Sequence, residues 1–248
     1  MDVFPRTALG FACPGLLSAC PSRAADGAFL RRPDMNPLPA SRRLCLLLLL
    51  AMPLQAADHM AHFVPQSGSR VTIDGTSNLH DWRIEGQVIN GLVQFGAGFP
   101  LLTGQKVNLG KIQARMEGSI PIRSLHSVGE GNVMDNFICL QLNERTNPSA
   151  FFRISELILK TAPKSKGFPY LFDSRCDLVL AGVTNQTSMP VRIISLSGNK
   201  LKIIGSTSFK MTDFGIQPPR WHASDSTINV GDTVKLRFEW LVRLKRNV

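Results

Sequence analysis

The chain has 248 residues, 44% of them apolar and 19% charged, with a formal net charge of +10. That balance excludes a disordered polyelectrolyte and a multispanning membrane protein, while five cysteines and 20 glycines exclude a disulfide scaffold and a collagen-like chain. Residues 57–248 keep 22 basic and 15 acidic side chains, so this part is still basic and long enough to bury a core.

Residues 1–34, rich in Pro, Arg and Ala, read as an upstream extension, disordered or the product of a start assigned too early. From Met35 the order is basic, apolar, small: Arg42-Arg43, then residues 44–54, then Gln55-Ala56-Ala57-Asp58. A bilayer span needs about twenty apolar residues. The run is therefore too short to cross, and 35–56 is expected to be a secretory signal cleaved near Ala56, giving a periplasmic or secreted protein. Leu17-Ser18-Ala19-Cys20 spells a lipoprotein box, but only Arg6 precedes it and Pro14 interrupts its apolar stretch, so it is the weaker alternative. Cys13, Cys20 and Cys45 fall in the removed part. Cys139 and Cys176 remain, and without metal spacing they read as buried free thiols rather than a framework.

After residue 68, period-two alternation predicts eight half-buried antiparallel strands near 69–74, 82–89, 111–120, 151–159, 170–181, 189–196, 200–211 and 233–244. The third alternates Ile112, Ala114, Met116, Gly118 and Ile120 with polar residues; the fifth does so with Phe172, Cys176, Leu178 and Leu180. The last is cleanest, with Val234, Leu236, Phe238, Trp240 and Val242 opposite a mostly charged face. One helix is predicted over 132–142, where Val133, Phe137 and Leu140 share a face, and is expected to plug or gate one end. The connections 90–110 and 212–232 are expected to form the rim. Closing eight strands into an up-and-down barrel removes exposed edges, so the predicted fold is an all-β, eight-stranded antiparallel barrel with one short α-helix. Eight strands can be filled by their own side chains or can hold one small ligand. The small inward residues Ala114, Gly118, Ser174, Gly205 and Thr207, interspersed among phenylalanines and Trp240, permit a hollow.

Several segments carry a resemblance. Gly75-Thr76-Ser77-Asn78-Leu79-His80-Asp81-Trp82, Ile120-Pro121-Ile122-Arg123-Ser124-Leu125, Leu180-Ala181-Gly182-Val183-Thr184, Phe209-Lys210-Met211-Thr212-Asp213-Phe214-Gly215-Ile216 and Val230-Gly231-Asp232-Thr233-Val234 occur in an order that resembles the YceI-like family of extracytoplasmic lipid- or polyisoprenoid-binding proteins. Asn185-Gln186 replaces the Lys-Pro that usually follows G-V-T, and Ala150-Phe151-Phe152 departs from the family's strand entry. The resemblance implies a lipocalin-like barrel whose apolar interior holds an isoprenoid or fatty chain. It also marks His80, Asp81, Gly182, Asp213, Gly215 and Gly231 as motif positions that shape turns.

The leading functional reading is therefore a binder or carrier of a long apolar ligand: a polyisoprenoid, an isoprenoid quinone or a fatty amphiphile. Each methylene moved from water into an apolar tunnel gains about 0.8 kcal/mol, so ten give about 8 kcal/mol gross, before association costs. The expected cavity lining is Trp82, Met116, Phe152, Phe172, Phe209, Phe238 and Trp240, with Phe137 on the helix and Phe214 on the rim. The inward list contains no Lys, Arg, Asp or Glu save Glu156, should its strand slip register. No catalytic or metal-binding residues and no required cofactor are expected. Two alternatives stand: a hydrolase using Ser77, His80 and Asp81 at the rim, and a solid-core barrel. His59 and His62 lack a third ligand. The charge is spread over outward faces, which argues against nucleic acid; Arg243, Lys245 and Arg246 could meet an anionic membrane surface.

Overall fold

Fourteen strands, β1 to β14, make up the described fold of this computed structural model, which describes residues 60–245 apart from 97, 100–106, 130, 164, 166, 224 and 225. The expected extension, signal segment, cleavage site and lipoprotein box lie outside the described residues. All described residues belong to the unit Ala56–Val248.

Eight long antiparallel staves close into a barrel, and three of them are broken into two strands each. The first is β1 (Ala61–Pro65) followed by β2 (Arg70–Gly75), both antiparallel to one edge of β14 (Thr233–Leu244). The second is β3 (Trp82–Gly86) and β4 (Asn90–Phe95), pairing with β2 and β1 respectively. The third is β6 (Ala114–Pro121), a 3-10 turn at Ile122–Ser124, and β7 (Leu125–Ser127), pairing with β4 and β3. β8 (Ser149–Thr161), β9 (Tyr170–Leu180), β10 (Val183–Leu196) and β11 (Lys200–Lys210) are continuous and lead back to β14. The short β5 (Gly110–Lys111) adds to β8, and β12 (Arg220–Ala223) with β13 (Ser226–Asn229) forms a separate hairpin.

The breaks have local causes. In the first stave Gly68 sits at φ 95°, a left-handed conformation that glycine adopts without a Cβ clash. The Ser69 hydroxyl donates to the Gln66 carbonyl (3.0 Å) and accepts the Leu241 N–H (3.1 Å), replacing a ladder bond. In the third stave Pro121 brings no N–H to the ladder, and the Ser124 hydroxyl donates to its carbonyl at 2.7 Å. The breaks face one another: Gly86 pairs with Leu125 on one side of them and Asn90 with Ser119 on the other.

The single α-helix, α1 (Gly131–Gln141), lies between β7 and β8 in sequence and packs against β7. Its barrel-facing residue is Ile138, 6% exposed, with Met134 and Leu142 beside it. The predicted stripe is thus turned away from the packed face: Val133 is 84% and Leu140 74% exposed, and Phe137 is half-buried. Asp135 ties the helix down, accepting the Ser127 N–H (2.7 Å) and meeting His126 Nδ1 (2.8 Å). Burial would raise the Asp135 carboxyl, but these hydrogen bonds and the His126 side chain outweigh it and hold the group below its ordinary value.

Each of the eight predicted strands corresponds to one stave, with three corrections. The segment 90–110 is not all rim, because β4 and the first residue of β5 lie within it; 212–232 contains the β12–β13 hairpin and all but the first residue of a 3-10 turn at Met211–Phe214. β8 does slip register between Ile154 and Glu156. The bulge turns Leu157 and Leu159 inward and leaves Glu156 outside, where it pairs with Lys111 (3.3 Å) and Arg175 (3.6 Å).

Candidate ligand-binding cavity

The barrel interior has two unlike halves. At one end, which we call closed, aromatic rings fill the space: Phe95 stacks on Phe99 (centroids 4.0 Å apart) and meets Phe63 edge-on (5.8 Å). Leu159, Tyr170, Phe172, Ile193, Ile203 and Val242 complete this packing, each at most 4% exposed. At the opposite end, below α1 and the β12–β13 hairpin, lies a hollow of about 650 Å³. That is within the range of about 300–1,000 Å³ usual for small-molecule sites.

A floor divides the halves. The rings of Phe152 and Phe238 stack at 5.2 Å, and Phe152 meets the buried Trp240 edge-on at 5.5 Å. Their seats are glycines. A Cβ on Gly205 would lie 2.6 Å from the Phe238 ring, and one on Gly118 would collide with the ring of Phe152. These two small inward positions therefore do not make the hollow; they admit the rings that end it. Ser174 is likewise consumed, its hydroxyl donating to the Met189 carbonyl at 2.7 Å.

Above the floor, alternate residues of successive staves form the wall: Ile84, Leu125, Leu178, Met189 and Leu236. Phe209 adds to the wall and rests edge-on against Phe214 (5.0 Å). Trp82 lies over Gly75 and donates its indole N–H to the Thr76 carbonyl (3.1 Å). Phe137 of α1 meets Trp221 of the hairpin at 4.8 Å, joining the two elements beside the mouth. Polar groups are few and belong mainly to the rim. Arg83 is the one Lys or Arg among the described lining residues, no carboxylate side chain joins it, and its guanidinium is bound to Asp74 outside (2.6 Å). The sequence-based expectation of an interior free of ionisable groups therefore needs amendment at the mouth, where Arg83 and His80 line the opening.

Five of the nine expected lining residues, Trp82, Phe137, Phe152, Phe209 and Phe238, face the hollow. Met116, Phe172, Phe214 and Trp240 do not: each is buried in packed structure, Phe214 in the 3-10 turn against Phe209, and the other three because inward-facing in a half-filled barrel does not mean cavity-facing. Trp240 sits under the floor, its indole N–H without a hydrogen-bond partner. Leu178 and Leu236 are legible as inward from the predicted alternation, whereas Met189 stands at the first residue of the strand predicted near 189–196, where no alternation precedes it. Trp221 and Ile228 carried no strand signal.

The motif positions shape turns at the open end. The Ser77 hydroxyl donates to the His80 carbonyl (2.8 Å) and accepts the His80 N–H (3.1 Å), while His80 Nδ1 bonds the Asp81 carbonyl (2.9 Å). This is turn geometry, in which the backbone carbonyl of the exposed Asp81 bonds the ring. Gly182 (φ 84°) follows Ala181 (φ 49°) in the tight β9–β10 turn, and Gly215 (φ 70°) ends the 3-10 turn. Asp213 accepts the Lys210 N–H (3.3 Å), and the Gly231 N–H donates to the Thr76 carbonyl (2.8 Å). Asp232 accepts both the Thr212 hydroxyl (2.7 Å) and N–H (2.9 Å), which hold its carboxyl below the usual range. His62 lies against Gln94 and His222 against Thr227, and no cluster of three metal-ligating side chains occurs among the described residues. Arg243 and Lys245 lie at the closed end, opposite the mouth.

Comparison with known proteins places this geometry. The YceI-like domain family matches residues 89–241. A polyisoprenoid binding domain from Saccharophagus degradans implicated in plant cell wall breakdown is 14% identical, covering 75% of this chain and 100% of that one, with a TM-score of 0.53. Burkholderia cenocepacia BcnA is 17% identical, covering 70% and 95%, with a TM-score of 0.50. At these identities the likeness is one of fold. No curated protein matches the chain.

Proposed function

The chain belongs to the YceI-like domain family, and from that premise we propose that it binds and carries a long apolar molecule in the barrel hollow without transforming it. The observation that carries this reading is the hollow itself: about 650 Å³, walled by aliphatic and aromatic side chains, with no carboxylate among its described lining residues. Such a site holds its cargo by burial, which rewards chain length and asks little of the head group. The Saccharophagus degradans neighbour, described as polyisoprenoid binding, supports an isoprenoid or fatty chain as the cargo class. The basic-apolar-small order of residues 35–56 supports export and a periplasmic or secreted site of action. Any contact of Arg243 and Lys245 with an anionic membrane would hold the mouth away from that surface, so cargo transfer is assigned to the open end.

Mass spectrometry of organic extracts from the purified protein tests the reading. A co-purifying lipid near one per chain is the expected result, and its absence from Phe238→Arg protein would place it in the hollow. An empty wild-type protein that turns over a test ester would overturn it.

A further inference from the structure

We propose that the floor is a length ruler: Phe152 and Phe238, seated on Gly118 and Gly205 above Trp240, stop the cargo halfway down the barrel and select chains of about four isoprene units, or straight chains of equal size, over longer polyprenyl tails. The proposal rests on the carrier reading above and adds what that reading leaves open, the size class of the cargo.

The capacity follows from the volume. At about 30 Å³ per non-hydrogen atom, the share one water has in the liquid, 650 Å³ holds about twenty such atoms. An isoprene unit contributes five carbons, so about four units fill the space. Below the floor the described residues are packed against one another. Trp240 and, beyond it, Val93, Met116, Ile193 and Ile203 are all fully buried, and the stacked aromatics of the closed end lie behind them. A closed eight-stranded barrel has room for a through-going tunnel only where inward side chains are small. Here the two glycines at mid-height are covered by phenyl rings, so the level at which small inward residues would open a tunnel is the level at which it is plugged. The plug coincides with the break in the first stave, because Arg70 pairs with Glu239 and Pro65 with Val242, leaving Trp240 beside the interruption. Above that level the first three staves form their own branch, β2-β3-β7, in the strand order.

The polar end of such a cargo stays at the mouth. There the lining changes from aliphatic wall to Ser77, His80, Arg83, Asn136 and Gln141, which can meet a hydroxyl or carbonyl but offer no acidic group to repel an anionic one.

The test is native mass spectrometry of the full chain in competition between neighbouring members of a graded series of straight-chain fatty alcohols. Each added methylene is expected to favour the longer alcohol about fourfold until the tail meets the floor, after which the preference falls to near unity. Phe152→Ala and Phe238→Ala are expected to move that break to longer alcohols by a few carbons, and Phe152→Leu and Phe238→Leu by less, with the leucine variants serving should the alanine ones fail to fold. Leu79→Ala, at the rim, is expected to leave the break in place. A preference that keeps rising through the whole series, or a break unmoved in every folded floor variant, overturns the ruler while leaving the carrier reading intact. Binding of no alcohol at any length by the wild type overturns both.

Discussion

Adding one methyl group at Gly205 is the most direct probe of the floor. The backbone there is ordinary strand, so Gly205→Ala introduces no conformational strain of its own, and its effect is steric. The new Cβ would lie 2.6 and 2.7 Å from two Phe238 ring carbons and 2.9 Å from the Met189 sulfur. Carbon pairs rest at about 3.5–4.0 Å, so the ring must retreat by about 1 Å. The unbranched Met189 gives way readily, whereas Phe238 is held by its stack on Phe152 and moves only into the hollow. Overpacking of this kind costs about 1–3 kcal/mol; for a domain of this size, 2 kcal/mol lowers the melting temperature by about 4–8 °C. Urea unfolding followed by tryptophan fluorescence measures it, with Trp240 beside the perturbed ring. In a Phe238→Ala background the clash with the ring is gone and only the yielding Met189 sulfur remains close, so Gly205→Ala is expected to be near neutral or stabilising by up to about 1 kcal/mol, since alanine restricts the unfolded chain. The expected coupling between the two positions is therefore about 1–3 kcal/mol. Strictly additive costs, or a Gly205→Ala protein as stable as wild type with its cavity unchanged, would refute the seat-and-ring account.

Asp135→Ala should free α1 from β7 at a cost of about 1–2 kcal/mol, seen as faster amide exchange over 131–141; unchanged exchange would show that the helix is held by apolar packing alone. Because the Asp135 carboxyl is held below its ordinary value of 3.8 when folded, its contribution is fully present above that value and is lost as pH falls through the folded one. Helix protection should accordingly hold above pH 3.8 and decline only as pH falls below it. Burial pushes the Cys176 thiol up to about 11. Alkylation near neutral pH should therefore modify Cys139, half-buried on α1, well before Cys176, which should react only on unfolding. Peptide mapping reads the order, and equal rates would contradict the burial of Cys176.

The staves were legible because burial on one side of a sheet writes a period of two into the chain, nowhere more plainly than from Val234 to Val242. The breaks were not, since a stave interrupted at Gly68 or Pro121 reads as a shorter strand plus a loop, and β1 lay too close to the expected cleavage site to be counted. The helix bounds are legible to within a residue at each end, and Val133, Phe137 and Leu140 share a face as the pattern predicts; what the pattern does not show is that this stripe lines the mouth while Ile138 makes the buried contact. The same ambiguity governs the site. Alternation says that Met116 and Trp240 point inward, yet whether an inward residue meets a ligand or a neighbour depends on what crosses from the opposite wall. Gly118 and Gly205 illustrate this, because a missing side chain in one strand signals space that another strand's ring has already taken.

The division of the barrel at the level of its three breaks gives substitutions in its two halves different costs. Substitutions among the tightly fitted rings at the sealed end threaten folding, whereas the helix, the hairpin and the 75–82 turn hang from the rim as connections, where insertion and exchange of residues disturb little of the framework. A lineage could thus retune what enters through the vestibule while inheriting an unchanged base, and selection for new cargo would leave its imprint on the upper loops and on the two glycines at the waist.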